Sequence, residues 1–176
     1  TPALSGQYLT STSVSIAFNA SDNDSFTLAC TMDGQAAPSG GGACTSAQAF
    51  SGLTQGPHTF QVVATDRAGN AATASVAYVV DTIAPQAPTF NSPADGAYMS
   101  GDALLASGSS DAGSELELTI GWGVDSASYS VDPDVNGDWS FPFSGLPDRD
   151  YYLSLTASDA AGNTSPAATR SFTIDN

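Results

Sequence analysis

An all-β chain, built as two tandem β-sandwiches joined by a short Pro-containing linker, is what this sequence predicts. Three observations carry the prediction. Apolar residues alternate with polar or small ones over many short stretches, the period of a half-buried strand. Clusters of Asp, Asn and Gly, the residues that close turns, separate those stretches. One residue pattern then occurs twice at a fixed offset, as a repeated unit requires.

In the first half, Val14, Ile16 and Phe18 alternate with small residues. Phe26, Leu28 and Cys30 do the same, followed by Phe60, Val62 and Ala64 and then by Val76, Tyr78 and Val80. The turns between them are Asp22-Asn23-Asp24 and Met32-Asp33-Gly34. In the second half, Leu116, Leu118 and Ile120 alternate, then Tyr129 and Val131, then Trp139, Phe141 and Phe143. Tyr151, Leu153 and Leu155 come next, and Phe172 and Ile174 last. Asp132-Pro133-Asp134 and Asn136-Gly137-Asp138 supply turns there. Good helix formers other than Ala are scarce, whereas Thr, Ser, Val and Gly abound, which disfavours helices throughout.

The repeat sets the boundary. Gly52 to Asn70 reads GLTQGPHTFQVVATDRAGN, and Gly145 to Asn163 reads GLPDRDYYLSLTASDAAGN. Each unit ends on an apolar strand followed by Asp: Tyr78-Val79-Val80-Asp81 in the first, Phe172-Thr173-Ile174-Asp175 in the second. The expected domains are therefore residues 1–82 and 83–176. The linker Thr82-Ile83-Ala84-Pro85-Gln86-Ala87-Pro88 carries two prolines, which fix φ and make it extended and semi-rigid.

Charge narrows the function classes. The chain carries 18 acidic residues, three arginines and no lysine, a formal net charge of −15. A nucleic-acid backbone or an anionic membrane surface would be repelled, so neither is an expected partner. No apolar run is long enough to span a bilayer, so no membrane insertion is expected. No charged segment followed by an apolar run opens the chain, and its start at Thr1 and stop at Asn176 read as a piece of something longer. Glu115 and Glu117 are the only glutamates; the remaining acids are Asp, which favours turns and also ligates hard cations such as calcium. The two cysteines, Cys30 and Cys44, are an even pair in a chain of extracellular character, so a disulfide is expected within the first domain.

These residues resemble a known family. APQAPTFNSPADGAYMSG, VNGDWSFPFSGL, LTASDAAGNTSPA and SFTIDN in the second unit are similar to the bacterial immunoglobulin-like repeats of large secreted surface adhesins. FTLACTMDG, a second cysteine and GLTQGPHTFQVVATDRAGN in the first unit resemble a related class of bacterial immunoglobulin-like domain. The resemblance implies two immunoglobulin-like sandwiches in series, on the bacterial cell surface or secreted, in which calcium at domain junctions stiffens a stalk.

A seven-strand order in the second unit places the turn holding Asp111 and the turn holding Asp159 and Asn163 at the linker end. The last strand of the first unit delivers Asp81 to the same junction. Asp81, Asp111, Asp159 and Asn163 are therefore the expected interdomain calcium ligands. Asp22, Asp24, Asp66 and Asn70 form a weaker second set in the first unit. The same residues have a second reading, since D-x-A-G-N also makes a turn closed by its own side chains.

No catalytic constellation is visible. His58 is the only histidine, expected as a surface or half-buried strand residue, and no G-x-S-x-G elbow or H-E-x-x-H occurs. Trp139 is expected in the core. Trp122, between two glycines, is expected at a strand end and is also the candidate contact for a glycan or protein. The expected function is a non-catalytic extracellular spacer in an adhesin stalk, serving cell adhesion by projecting a distal binding tip. Its partners would be neighbouring repeats of the same chain. Two rivals stay open: a glycan- or protein-binding module that recognises a host or prey surface, and an accessory segment of a secreted hydrolase.

Overall fold

A computed structural model describes residues 7–37 and 44–176. The chain divides into two compact units, Thr1–Thr82 and Ile83–Asn176. The described residues form strands and turns.

The first unit contains β1 (Gln7–Leu9), β2 (Val14–Ile16), β3 (Phe26–Met32), β4 (Gln35–Ala37), β5 (Gln48–Phe50), β6 (Gly56–Asp66) and β7 (Ala71–Val80). One sheet has the order β1-β7-β6-β3-β4, and β2 pairs with β5 in a second. The long β6–β7 hairpin sets the register, with Phe60 opposite Val76 and His58 opposite Tyr78. Because side chains alternate between faces, that register sends Phe60, Val62, Val76, Tyr78 and Val80 inward against Ile16 and Phe18. The alternation at Val14, Ile16 and Phe18 predicts a longer strand than is found. The ladder stops at Ile16, and Ser46 takes over: its Oγ donates to the Phe18 carbonyl at 2.7 Å and accepts the Phe18 amide at 3.3 Å. Phe18 is still buried. A Cys30–Cys44 disulfide ties β3 to the segment that follows β4, as expected.

The second unit contains β8 (Thr89–Ser92), β9 (Ala97–Met99), β10 (Leu104–Ser109), β11 (Glu115–Trp122), β12 (Asp125–Val131), β13 (Asp138–Phe143), β14 (Arg149–Ser158) and β15 (Ala168–Ile174). Its sheets run β13-β10-β8 and β12-β11-β14-β15-β9. Leu116, Leu118 and Ile120 of β11 face Leu153, Leu155 and Ala157 of β14 in one continuous inward stripe. Trp139 is buried as expected, with the Phe90 ring edge-on to it at 5.3 Å. Among the described residues its indole nitrogen has no hydrogen-bond partner. Trp139 packs on β10 at Gly108, where a Cβ would come within 1.8 Å of the Thr89 carbonyl oxygen and 2.9 Å of the indole. Along the sandwich edge, Tyr129 contacts Phe141 and Phe143 at ring separations of 4.7 and 5.7 Å.

The strand order gives the second unit two distinct poles. The residues before β8 lie at one pole with the 110–114, 132–137 and 159–167 loops. The Gln86 amide donates to Asp111 there, and the Ser110 amide to the Gly137 carbonyl. The chain leaves at the other pole, where the Asp175 amide donates to Met99 and the Asn176 side chain bonds Gly101 and Asp148.

Candidate functional site

The acidic turns are built alike. In Asp66–Asn70 and in Asp159–Asn163, the amide of the first residue donates to the carbonyl of the fifth, and the glycine amide returns to the carbonyl of the first. The Asp carboxylate then accepts the amide of the Asn, at 2.8 Å in the first unit and 2.9 Å in the second. Its other oxygen accepts the Asn side-chain amide at 2.7 and 2.9 Å. Asp159 also accepts the Ala161 amide. The β12–β13 connection is a third copy that motif reading missed. Asp134 accepts the amides of Asn136 and Asp138, and the Gly137 amide bonds the Asp134 carbonyl. The signal was present in Asp134-Val135-Asn136-Gly137-Asp138, which keeps the Asp and the Gly but has Asn for the Ala and Asp for the last Asn.

Hydrogen bonding to the ionised form lowers the pKa of a carboxylate. Bonds from Asn70 hold Asp66 below its ordinary value, and bonds from Asn163 do the same for Asp159. The amides of Asn136 and Asp138 lower Asp134. Donors aimed at these oxygens leave fewer lone pairs for a cation, so turn closure accounts for the D-x-A-G-N geometry.

The expected calcium ligands are placed as follows. Asp159 and Asn163 are bonded to each other. Asp111 lies in the adjoining loop, since Glu115 and Ser158 are register partners and the two loops leave the sheet beside them. Its carboxylate accepts the Gln86 amide at 2.9 Å. The Asp81 amide bonds the Leu9 carbonyl. In the first unit, Asp22, Asp24 and Asp66 rim one depression together with Arg67, and Asp22, Asp66 and Asn70 line its neighbour. Among the described residues, no three His, Cys, Asp or Glu side chains are gathered as a metal-holding group.

His58 departs from expectation. It is 6% exposed rather than at the surface, because its register opposite Tyr78 turns it inward. Both ring nitrogens find oxygens: Nδ1 lies 2.7 Å from the Asp33 carboxylate and Nε2 2.8 Å from the Thr54 carbonyl. With both nitrogens engaged, the ring offers no free base to a nucleophile. Trp122 is half-buried, its ring edge-on to Tyr151 at 6.2 Å, in keeping with packing at a strand end. Among the described residues the exposed aromatics are others: Tyr8, Tyr98, Tyr129, and Tyr152 lying across Gly121. Period-two reading assigns Tyr152 to the outer face, since Tyr151 and Leu153 alternate around it, whereas Tyr129, read as apolar with Val131, is exposed.

Among the described residues no helix is long and apolar enough to cross a membrane. No curated protein matches the sequence. Among solved structures, the fibronectin(III)-like modules of Clostridium thermocellum CbhA are similar at 13% identity, covering 99% of this chain and 93% of that one, with a TM-score of 0.61. The Sidekick-1 immunoglobulin domains 1–5 match at 10% identity over 99% of this chain and 38% of theirs, with a TM-score of 0.53. A 1.5-MDa bacterial ice-binding adhesin matches at 17% identity over 95% of this chain and 59% of that one, with a TM-score of 0.47. The first two likenesses speak to the fold alone. The model of the bacterial Ig-like domain matches residues 1–82 and again 103–176, and with two immunoglobulin-like sandwiches already in view the chain belongs to that family.

Proposed function

We propose that the chain is a non-catalytic spacer in an extracellular bacterial surface adhesin, holding a distal binding region away from the cell. The observation that carries this reading is the polarity of the second unit. The chain enters beside the 110–114 loop, held there by the Gln86–Asp111 bond, and leaves from the opposite pole at Asp175 and Asn176. Repeats threaded in this way advance the chain by one domain length per copy. The family match, the repeated sandwich and a disulfide suited to an oxidising environment support the reading. Calcium held by Asp81, Asp111, Asp159 and Asn163 is part of the proposal, supported by the charge of −15 that the chain carries.

The test exchanges the segment in its parent surface protein for an unrelated pair of rigid sandwiches of equal length. Adhesion that survives the exchange supports a spacer, and adhesion lost with length conserved overturns it in favour of a binding module. Calorimetric titration of the chain with calcium, beside small-angle scattering with and without EGTA, tests the cation. Heat of binding and a scattering change support it, and a flat titration removes it.

A further inference from the structure

The His58 site does something that a spacer does not require. The ring is 6% exposed, and each nitrogen faces an atom that only accepts: the Asp33 carboxylate at 2.7 Å and the Thr54 carbonyl at 2.8 Å. A neutral imidazole has one N–H and one bare lone pair, so it can satisfy one of these oxygens and must oppose the other. Only the imidazolium donates to both. The carboxylate itself is held in place: its other oxygen accepts the Thr59 amide at 2.7 Å, and the Asp33 amide donates to the Thr59 carbonyl at 2.9 Å.

The titratable groups facing the ring are few. Asp33 comes from the β3–β4 turn, and Tyr78 comes from β7 with its ring 5.8 Å away. The Tyr78 hydroxyl bonds the Met32 sulfur, and burial together with the Asp33 charge pushes its pKa up to about 12, so it stays neutral wherever His58 titrates. The chain has no lysine. When the imidazolium loses a proton, the Asp33 charge keeps the one on Nδ1. The bare nitrogen is then Nε2, its lone pair against the Thr54 carbonyl 2.8 Å away.

Thr54 is joined directly to Gln55, which holds the end of the unit. Its side-chain oxygen accepts the Thr82 amide at 3.0 Å and its side-chain nitrogen donates to the Thr82 hydroxyl at 2.6 Å. Thr82 is the last residue of the first unit. We propose that His58 is a proton-operated latch: charged, it pins Thr54 and with it the Gln55 clasp on Thr82; neutral, it releases both and loosens the root of the linker.

His58 is the only histidine, so its ring signals are unambiguous in the whole chain. Long-range proton–nitrogen spectra between about pH 5 and 9.5, with amide exchange at Thr82, test the latch. Expected are imidazolium shifts at both nitrogens near neutrality and a midpoint above the ordinary 6.5. Above that midpoint the protection of the Thr82 amide should fall roughly tenfold, while amides of β11 and β14 keep theirs. Asp33→Asn should move the midpoint down. A native midpoint at or below 6.5, or a midpoint above it with Thr82 protection unchanged, overturns the proposal.

Discussion

Asp66, Asp134 and Asp159 each receive two or more hydrogen bonds from their own turn, and each has its pKa lowered. A carboxylate whose folded pKa lies below its unfolded one stabilises the fold fully above about 3.8, and that contribution fades as pH falls through the folded value. Acid unfolding should therefore begin below pH 4, where these turns protonate, and circular dichroism against pH measures it. Asp159→Ala should lower the melting temperature of the second unit, whereas Asp159→Asn, which keeps an acceptor for the Ala161 and Asn163 amides, should retain most of it. His58 runs the other way. Burial pulls its pKa down, but the Thr54 carbonyl and the Asp33 carboxylate outweigh that and raise it. Its contribution is complete below 6.5 and is lost as pH rises through the folded value. At this scale the sequence was only partly legible. The D-x-A-G-N turns were visible as motifs, but a carboxylate that closes a turn and one that binds a cation share one spelling. His58 was misplaced because its partners, Asp33 and Thr54, lie on other elements.

At the scale of elements, the close approach of β8 to β10 depends on Gly108. Any side chain there would drive into the Thr89 carbonyl and the Trp139 indole. Gly108→Ala should force β8 off its register with β10 and destabilise the second unit by about 1–3 kcal/mol, the usual range for overpacking. Trp139→Ala, which empties a buried site against Phe90, should cost about 3–5 kcal/mol. Denaturant titration followed by tyrosine or Trp122 fluorescence reads both. Gly137 is constrained twice: its φ is 87°, and a Cβ would come within 2.1 Å of the Ser110 carbonyl. The long strands β6, β7, β11 and β14 were plain in the alternation, because each carries three or more buried residues at alternate positions. Short strands such as β1, β4 and β9 span three residues each, too few to display a period, and they exist because a longer neighbour supplies the pairing. Phe18 shows the opposite failure, where the alternation continues and the ladder does not.

For the whole molecule, the repeat was the most informative feature of the sequence, since it revealed two sandwiches before any strand was paired. What it could not reveal is where the loops of each unit meet, because that depends on which strand edges adjoin. The disulfide belongs to one unit only, closing a sequence separation of 14 residues. In the chain-entropy model such a loop contributes about 3 kcal/mol. Reduction should therefore lower the unfolding transition of the first unit by about that amount and leave the second in place, and differential scanning calorimetry with and without reductant separates the two. Net charge acts on the whole chain. At −15, raising the salt concentration should screen self-repulsion and raise both transitions, a shift the same calorimetry records.

The parallel pairing of β9 with β15 has a consequence of its own. Phe172, Thr173 and Ile174 lie beside Ala97, Tyr98 and Met99 with both strands running the same way. Tension applied between the start and the end of this unit drags the two strands past each other lengthwise. Their backbone bonds then carry the load together rather than peeling open one at a time, so a unit of modest equilibrium stability can still resist being stretched.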